Sequence, residues 1–280
     1  MNKKENPRTL YLTDLDGTLL TKDKTLSQET VRIINDLLKR GMLFSVATAR
    51  SAATASEILN PLALNLPGIL LNGTVLYDFQ KKSYVDCAPI APQAANRVLT
   101  LLRKAGRTPF LYTLTNSEIC VEFERLANAF EEEFYRERRG KAYKKFEQVR
   151  TLSAKKSAPI IYFTMLDTFE WLLPVYEAVK AMRGITVSFY KDNYTPCYYL
   201  EIYSEKASKS AGMAKLKQMT GAEKVVVFGD NYNDLDMIKA ADLGFVVKDA
   251  VEEVKAAADG VIGSSFDDGV AVYLQKHAVF

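Results

Sequence analysis

The sequence is poor in the residues on which much side-chain catalysis depends. It has a single histidine, His277, in 280 residues, which removes Ser-His, Cys-His and His-rich metal mechanisms from consideration. Its three cysteines, Cys87, Cys120 and Cys197, are far apart and form no Cys-x-x-Cys pair. Neither a disulfide framework nor a thiolate zinc site is expected, and a reducing cytoplasm is the compartment that fits. No apolar run approaches the ~18 residues of a membrane span, and the charged start, Met1 to Arg8, is not followed by the apolar segment of a secretory leader. Charge of one sign is also lacking: 37 Lys and Arg stand against 34 Asp and Glu. A net charge of +3 is too slight to argue for nucleic acid or an anionic membrane. There is no internal repeat, no low-complexity stretch and no sign of an obligate protein partner. What remains for chemistry is carboxylates, lysines and hydroxyls, in a chain whose 48% hydrophobic content suffices for one large core or two ordinary ones.

The carboxylates are concentrated first in Arg8-Thr-Leu-Tyr-Leu-Thr-Asp14-Leu-Asp16-Gly-Thr-Leu-Leu20. The run Thr9 to Thr13 predicts a short buried strand, and Gly17 permits a sharp turn just after the two acids. Two aspartates this close raise the cost of ionising each other unless a cation or hydrogen bonds compensate. A hard divalent ion such as Mg2+ needs only one or two carboxylates and leaves places for water and a phosphate. A calcium loop is excluded, because its glycine belongs at the sixth position and Gly17 stands at the fourth. By itself the stretch is equally a strand end followed by an Asp-Gly turn.

The chain around it reads as alternating strands and helices. Ser27 predicts a helix cap, with apolar residues at helical spacing until Gly41; Met42 to Ala47 predicts a buried parallel strand. A helix over 51–60 follows, then a strand from Gly68, the turn-forming pair Asn72-Gly73 and a strand over 74–77. From about Ala88 the rhythm changes. A helix over 93–105 precedes a hairpin of strands 110–115 and 119–123 across Asn116-Ser117. A charged helix over 124–139, a strand over 159–165, a helix over 168–182 and strands over 185–190 and 198–203 complete an α+β segment. The βα rhythm resumes with helices over 208–219, 233–240 and 251–258, strands over 224–228, 243–247 and 261–262, and a helix from Asp268. The expected fold class is therefore α/β: a doubly wound, mostly parallel sheet made from residues 1–87 and 205–280, with an α+β cap inserted at 88–204.

Three further stretches bear on the first. Val225 to Asp234, Val-Val-Val-Phe-Gly-Asp-Asn-Tyr-Asn-Asp, repeats its design: a buried strand releasing a glycine, then Asp230, Asn233 and Asp234. Ligands of open parallel sheets bind beyond the carboxyl ends of the strands, so two acidic strand tips on neighbouring strands would meet there around a cation. The alternative is a helix cap by Asp230 or Asn231 with Asp234 in the first turn. Val46-Ala-Thr48-Ala-Arg50 ends a strand in a hydroxyl able to donate to a phosphate oxygen or simply to cap a helix. Ser204-Glu-Lys206-Ala-Ser-Lys209-Ser places lysines at a helix start, which elsewhere would be solvated surface.

Taken together, these stretches resemble the haloacid dehalogenase superfamily of phosphatases, in the Cof-type group with a large α+β cap. Asp14-Leu-Asp16-Gly-Thr-Leu resembles the first motif of that family, Thr48 the second, Lys209 the third and Gly229-Asp230-Asn-Tyr-Asn233-Asp234 the fourth. Asn72-Gly73, Leu200-Glu-Ile202 and Asp267-Asp-Gly-Val-Ala271 extend the likeness. The resemblance implies Asp14 as a nucleophile forming an aspartyl-phosphate and Asp16 as general acid and then base. It implies Mg2+ held by Asp14, the Asp16 carbonyl and Asp230 with Asn233 or Asp234 in support, and phosphoryl oxygens bound by Thr48 and Lys209. Asn72 and Gly73 join the expected substrate-binding residues. The expected substrate is a small phosphorylated metabolite, a sugar phosphate first.

The sequence departs from the group at two places. Ser210 stands where a glycine commonly follows the motif lysine, with Lys206 as a nearby competitor, and Phe245 to Ala250 replaces a common Met-Gly-Asn run. In the cap, the basic stretch Arg136 to Lys145 reads either as a steering surface or as a solvated helix end with a Glu132–Arg136 pair. Tyrosines 190, 194, 198, 199 and 203 read as a pocket lining or as ordinary strand formers. A phosphotransferase or phosphomutase, and a catalytically silent binding protein of the same fold, are the rival readings.

Overall fold

The computed structural model describes residues 7–115, 118–142, 144–192 and 195–279. The expected turn at Asn116-Ser117, Tyr143 of the basic stretch and Tyr194 lie outside the described residues. The chain forms two compact units, one of residues 1–86 with 208–280 and one of residues 87–207. Among the described residues, no helix is long and apolar enough to cross a membrane.

The first unit opens with β1 (Thr9–Thr13), α1 (Gln28–Lys39), β2 (Leu43–Val46), α2 (Ala52–Leu59), β3 (Gly68–Leu70), β4 (Val75–Asp78) and β5 (Ser83–Cys87). Ser27 caps α1 by accepting the amide of Thr30, and the buried stripe of that helix is Thr30, Ile33, Ile34, Leu37 and Leu38. β3, β4 and β5 form a small sheet of their own, with β3 and β4 antiparallel, and a bridge from Ala47 to Ile69 joins it to the end of β2. β5 escaped the sequence reading because its five residues are only partly buried and carry no apolar alternation.

The second unit contains α3 (Pro92–Lys104), β6 (Phe110–Leu114), β7 (Ile119–Phe123), α4 (Ala129–Arg138), β8 (Lys144–Gln148), β9 (Ile160–Asp167), α5 (Phe169–Val179), β10 (Ile185–Lys191) and β11 (Tyr198–Ser204). Its sheet runs β10-β11-β9-β6-β7-β8, antiparallel except for the parallel pair β7–β8. The charged helix begins five residues later than the sequence predicts, because Asn128 caps it at the amide of Glu131 while Glu124 is drawn away to the amide of Leu152. β8 was not predicted: Lys-Lys-Phe-Glu-Gln is an edge strand, and charged edges protect a sheet against further pairing at the expense of a legible pattern.

One face of this sheet packs Leu111, Phe163, Met165, Leu200 and Ile202 against α3 and α5. The tyrosines divide between the faces. Tyr198 packs with Phe169 and Phe189 at that core, whereas Tyr199 stacks on Tyr190 and Tyr203 on Tyr162 at centroid separations of 5.5 and 5.3 Å. The described residues of the basic stretch run from the end of α4 into the start of β8. The expected Glu132–Arg136 pair does not form among the described residues; instead Arg138 pairs with Glu137 and covers the Phe134 ring.

Lys144 is the exception within that stretch, lying 4.6 Å from the Tyr112 ring centroid. Burial, reinforced by Arg138 and opposed by Glu201, pulls its pKa from 10.5 down to about 7. Between those values unfolding takes up a proton, so the stability this group confers is present above pH ~10.5 and is lost as pH falls towards 7. Lys144→Met should therefore stabilise the protein most at pH 7 and below, by about 1–2 kcal/mol after allowance for partial exposure, and not at all near pH ~10.5. Paired thermal melts of the two proteins across this range check it; a constant difference would refute it.

The chain returns to the first unit with α6 (Lys209–Thr220), β12 (Lys224–Gly229), α7 (Leu235–Ala240), β13 (Leu243–Val246), α8 (Glu252–Lys255), β14 (Gly260–Val261) and α9 (Gly269–His277). The parallel sheet runs β14-β13-β12-β1-β2. β1 is thus an interior strand, fully buried, and Thr13 lies in register with Phe228 of β12. The two acidic strand tips are therefore neighbours, locked together where the amide of Asp14 donates to the Phe228 carbonyl. Burying Leu10, Leu12, Phe44 and Phe228 completely contributes roughly 1.5–3 kcal/mol each to holding those tips in place.

Candidate active site

Four segments of the first unit converge at the carboxyl ends of β1, β2 and β12. β1 delivers Asp14 into a buried position, 5% exposed, while Asp16 turns outward. The turn between them and the next residues depends on Gly17, whose φ is +84° and where a Cβ would stand 2.4 Å from the Asp230 Oδ2. The hydroxyl of Thr18 then donates to Asp230 Oδ1 over 2.8 Å. Gly17→Ala combines a left-handed backbone penalty with a collision against a charged group. We expect it to cost about 2–3 kcal/mol of stability and to weaken divalent-cation binding, checked by denaturation and by metal titration; a variant as stable as the parent would contradict this account.

After β12 the chain makes a 3-10 turn over Tyr232–Asp234 closed by a capping box. Asp234 is wholly buried, and its Oδ2 accepts the amides of Asp230 and Asn231 at 3.0 and 3.1 Å. The capping alternative is thus realised, with Asn231 as the cap and Asp234 closing the box through Oδ2, which leaves the second oxygen of Asp234 for the cluster. Oδ1 receives Lys209 Nζ at 2.7 Å, and the same ammonium donates to Asp14 Oδ1 at 2.5 Å. Lys209 is 2% exposed at the start of α6, directly after the capping Ser208. Lys206, the competing lysine, is exposed.

Carboxylate oxygens of Asp14, Asp230 and Asp234 lie within 4.8 Å of one another. Their electrostatics are those of a site short of positive charge. Burial, with Asp234 and Asp230 adding to it, pushes Asp14 upward against the pull of Lys209, and burial with Asp234 pushes Asp230 up to about 6. Lys209 is held well above its ordinary value: burial pulls it down, but Asp14 and Asp234 outweigh that. We take Lys209 as charged, since two acids bracket it, which leaves three carboxylates sharing one cation. All-oxygen donors of this density suit a hard divalent ion.

Thr48 is buried at the end of β2, and its Oγ1 accepts the amide of Arg50 at 3.1 Å. Its carbonyl accepts the amide of Asn72, in a turn where Leu71, Asn72 and Gly73 all take positive φ, 50°, 54° and 88°. Gly73 is required there because a Cβ would lie 2.0 Å from the Ser208 carbonyl oxygen. The left-handed turn is thereby pressed against the cap of α6, beside Lys209. The side chain of Asn233 is exposed and donates to Asn72 Oδ1 at 3.4 Å. The Asp16 carboxylate is not part of the three-carboxylate cluster: Arg50 grips it through two bonds of 2.7 and 2.6 Å. Arg50 and Thr18 are the contributors the sequence reading did not single out. Arg50 had one legible signal, its place two residues after Thr48 on a strand tip.

A parallel-sheet core with an acidic crevice at its carboxyl edge and a separate α+β unit defines a class of hydrolases, and the comparisons agree. The model of the haloacid dehalogenase-like hydrolase family matches residues 11–274, and the chain belongs to that family. Pyridoxal phosphate phosphatase YbhA of Escherichia coli is 27% identical over 275 residues, covering 95% of this chain and 97% of that protein. The 5-amino-6-(5-phospho-D-ribitylamino)uracil phosphatase YitU of Bacillus subtilis is 23% identical over 272 residues, covering 96% and 97%. A crystal structure of a haloacid dehalogenase-like hydrolase from Bacteroides thetaiotaomicron matches the fold with a TM-score of 0.74 at 23% identity, over 96% of this chain and 98% of that one. The expected membership of the Cof-type phosphatases and the α/β fold class are both met.

Proposed function

We propose that this chain is a Mg2+-dependent phosphomonoesterase that works through an aspartyl-phosphate on Asp14. The enzyme is a hydrolase of the phosphoric monoesters of small metabolites. The observation that carries the finer reading is the buried Lys209 ammonium shared by Asp14 and Asp234 beside Asp230. A nucleophilic carboxylate needs to be ionised and fixed; the ammonium fixes Asp14 and pulls it towards ionisation against burial, and a bound cation would supply the rest.

In this reading Asp14 attacks phosphorus in line with the leaving alcohol. Asp16 protonates that alcohol and then, as carboxylate, removes a proton from the water that hydrolyses the intermediate. Thr48 and Lys209 hold phosphoryl oxygens, and the turn of Asn72 and Gly73 positions the ester. Asp14, Asp230 and the Asp16 carbonyl would hold the ion, with Asp234 fixing the loop that carries Asp230 and Asn233 bridging to Asn72. The ion, when bound, supplies charge neutralisation for the transferring group. Arg50 keeps Asp16 oriented before substrate arrives. Their pair is partly exposed and worth only about 0.2–1 kcal/mol, so the entering ester can displace it at little cost.

Sugar phosphates stand first among the substrates, and the names of the two relatives add pyridoxal phosphate and 5-amino-6-(5-phospho-D-ribitylamino)uracil to the set. Phosphate release from such a panel tests the reading. Activity should vanish in EDTA and return with Mg2+. Product analysis decides the transferase reading, since free phosphate released without an acceptor excludes an obligate phosphomutase. A full panel without Mg2+-dependent release would refute the proposal and favour the silent binding protein.

A further inference from the structure

One end of the sheet in the second unit collects arginines for which the proposed chemistry has no use. β6 is antiparallel to β7 and to β9, and β8 is parallel to β7, so the start of β6 and the ends of β7, β8 and β9 fall together. That placement gathers Arg103 from the end of α3, Arg107 and Thr108 from the entry to β6, Arg125 from the exit of β7, and Arg150 from the exit of β8. These residues and Glu124 line a cavity of about 430 Å³. The two ends of the unit lie elsewhere: Ile90 is bonded to the start of β9 and Ser204 closes β11, which runs antiparallel to β9.

Two of the four guanidinium groups have structural work. Arg103 donates to the Leu152 carbonyl and approaches Glu124 at 3.5 Å. Arg107 bonds Asp167, stacks 4.2 Å from the centre of the Trp171 ring, and lies 3.8 Å from Glu131. Its Nη1 is buried without a hydrogen bond and is the atom that faces Glu131, so Arg107 is committed to the wall of the cleft. Arg125 and Arg150 make no side-chain hydrogen bond or ion pair with the described residues, although Arg125 is near enough to Glu131 to favour its ionised form. A helix C-terminus explains a cation at Arg103. It does not explain the arrival of Arg125 and Arg150 from two other loops at the same cleft. Planar forks that converge in this way are built for oxyanions with more than one charged oxygen.

We propose that this cleft binds a small multivalent oxyanion, phosphoryl or polycarboxylate, as a second ligand of the enzyme. None of its residues belongs to the unit that carries Asp14, so it would report on a metabolite independently of turnover. Trp171 is the only tryptophan in the chain and stacks on a wall of the cleft, which makes it a reporter specific to this site.

The test is a fluorescence titration of the full-length protein in Mg2+-free buffer with sodium pyrophosphate and, separately, with sodium citrate, against NaCl at matched ionic strength. Saturable change in the Trp171 signal is expected, with the midpoint raised at least about tenfold in an Arg125→Ala/Arg150→Ala double variant and unmoved in Lys104→Ala. The anion that saturates at the lower concentration assigns the ligand chemistry. Because Arg125 and Arg150 are exposed and unpaired, the double variant should melt with the parent, so loss of binding cannot be loss of fold. A signal that follows ionic strength alone, or a double variant that saturates at the parent midpoint, overturns the proposal.

Discussion

Asp14→Asn is expected to lower kcat for phosphate release by roughly four orders of magnitude or more while leaving the protein folded. The substitution preserves the shape of a buried side chain and the contact with Lys209, but an amide nitrogen or oxygen is a poor nucleophile towards phosphorus. It also removes one of three clustered carboxylates, so the melting temperature should hold or rise. The combination separates a chemical role from a structural one: a merely structural Asp14 would lose stability along with activity. Steady-state phosphate release and a thermal melt on the same preparations suffice. A variant that kept more than about one hundredth of the parent rate would remove Asp14 from the nucleophile role, because an amide could not sustain that rate and another group would have to supply the attack.

Lys209→Met should be the most damaging change to stability in the first unit. The lysine is 2% exposed and its ammonium serves Asp14 and Asp234 together. Removing one partner of a buried ionic cluster leaves charge without compensation, at about 3–5 kcal/mol. Here two acids are orphaned at once, and Asp234 also anchors the amides of Asp230 and Asn231. Added Mg2+ should recover part of the loss, since a bound cation stabilises the folded state in proportion to its affinity. Turnover should fall about 10²–10³-fold even where the variant is folded, as for removal of a group that stabilises transition-state charge. Urea denaturation with and without Mg2+ measures both effects. A cost below about 1 kcal/mol, or no response to the metal, would show that Lys209 does not balance these carboxylates.

These expectations rest on residues that the linear order already marked. Asp14 and Asp16 followed a short apolar run, Asp230 and Asp234 another, and period and turn chemistry alone placed both at strand tips. Local rules failed where a residue's partner was distant in sequence. Asp234 is separated from Lys209 and Asp14 by loops and whole strands, and only the parallel pairing of β1 with β12 made them neighbours. Arg50 carried a charge with no assigned partner until β1 and β2 paired and brought Asp16 within reach. Asn233 shows the same limit: its motif position says nothing of Asn72, 161 residues away, to which its side chain donates. In the second unit, β8 was hidden by charge, and the arginine cleft was hidden altogether. Its members span Arg103 to Arg150, and no spacing rule links the ends of four different elements.

The sequence by itself determined the class of structure, the βα rhythm, the inserted α+β segment and the few carboxylates available for chemistry, because hydrophobic period, caps and glycines act over a handful of residues. The tertiary structure alone decided which acid is buried and which is exposed, which lysine is shared between two carboxylates, and how Asp14 and Asp16 come to differ. Burial and charge proximity are properties of strand order and register, and the same Asp-Leu-Asp would have been an ordinary turn had β12 not lain beside β1.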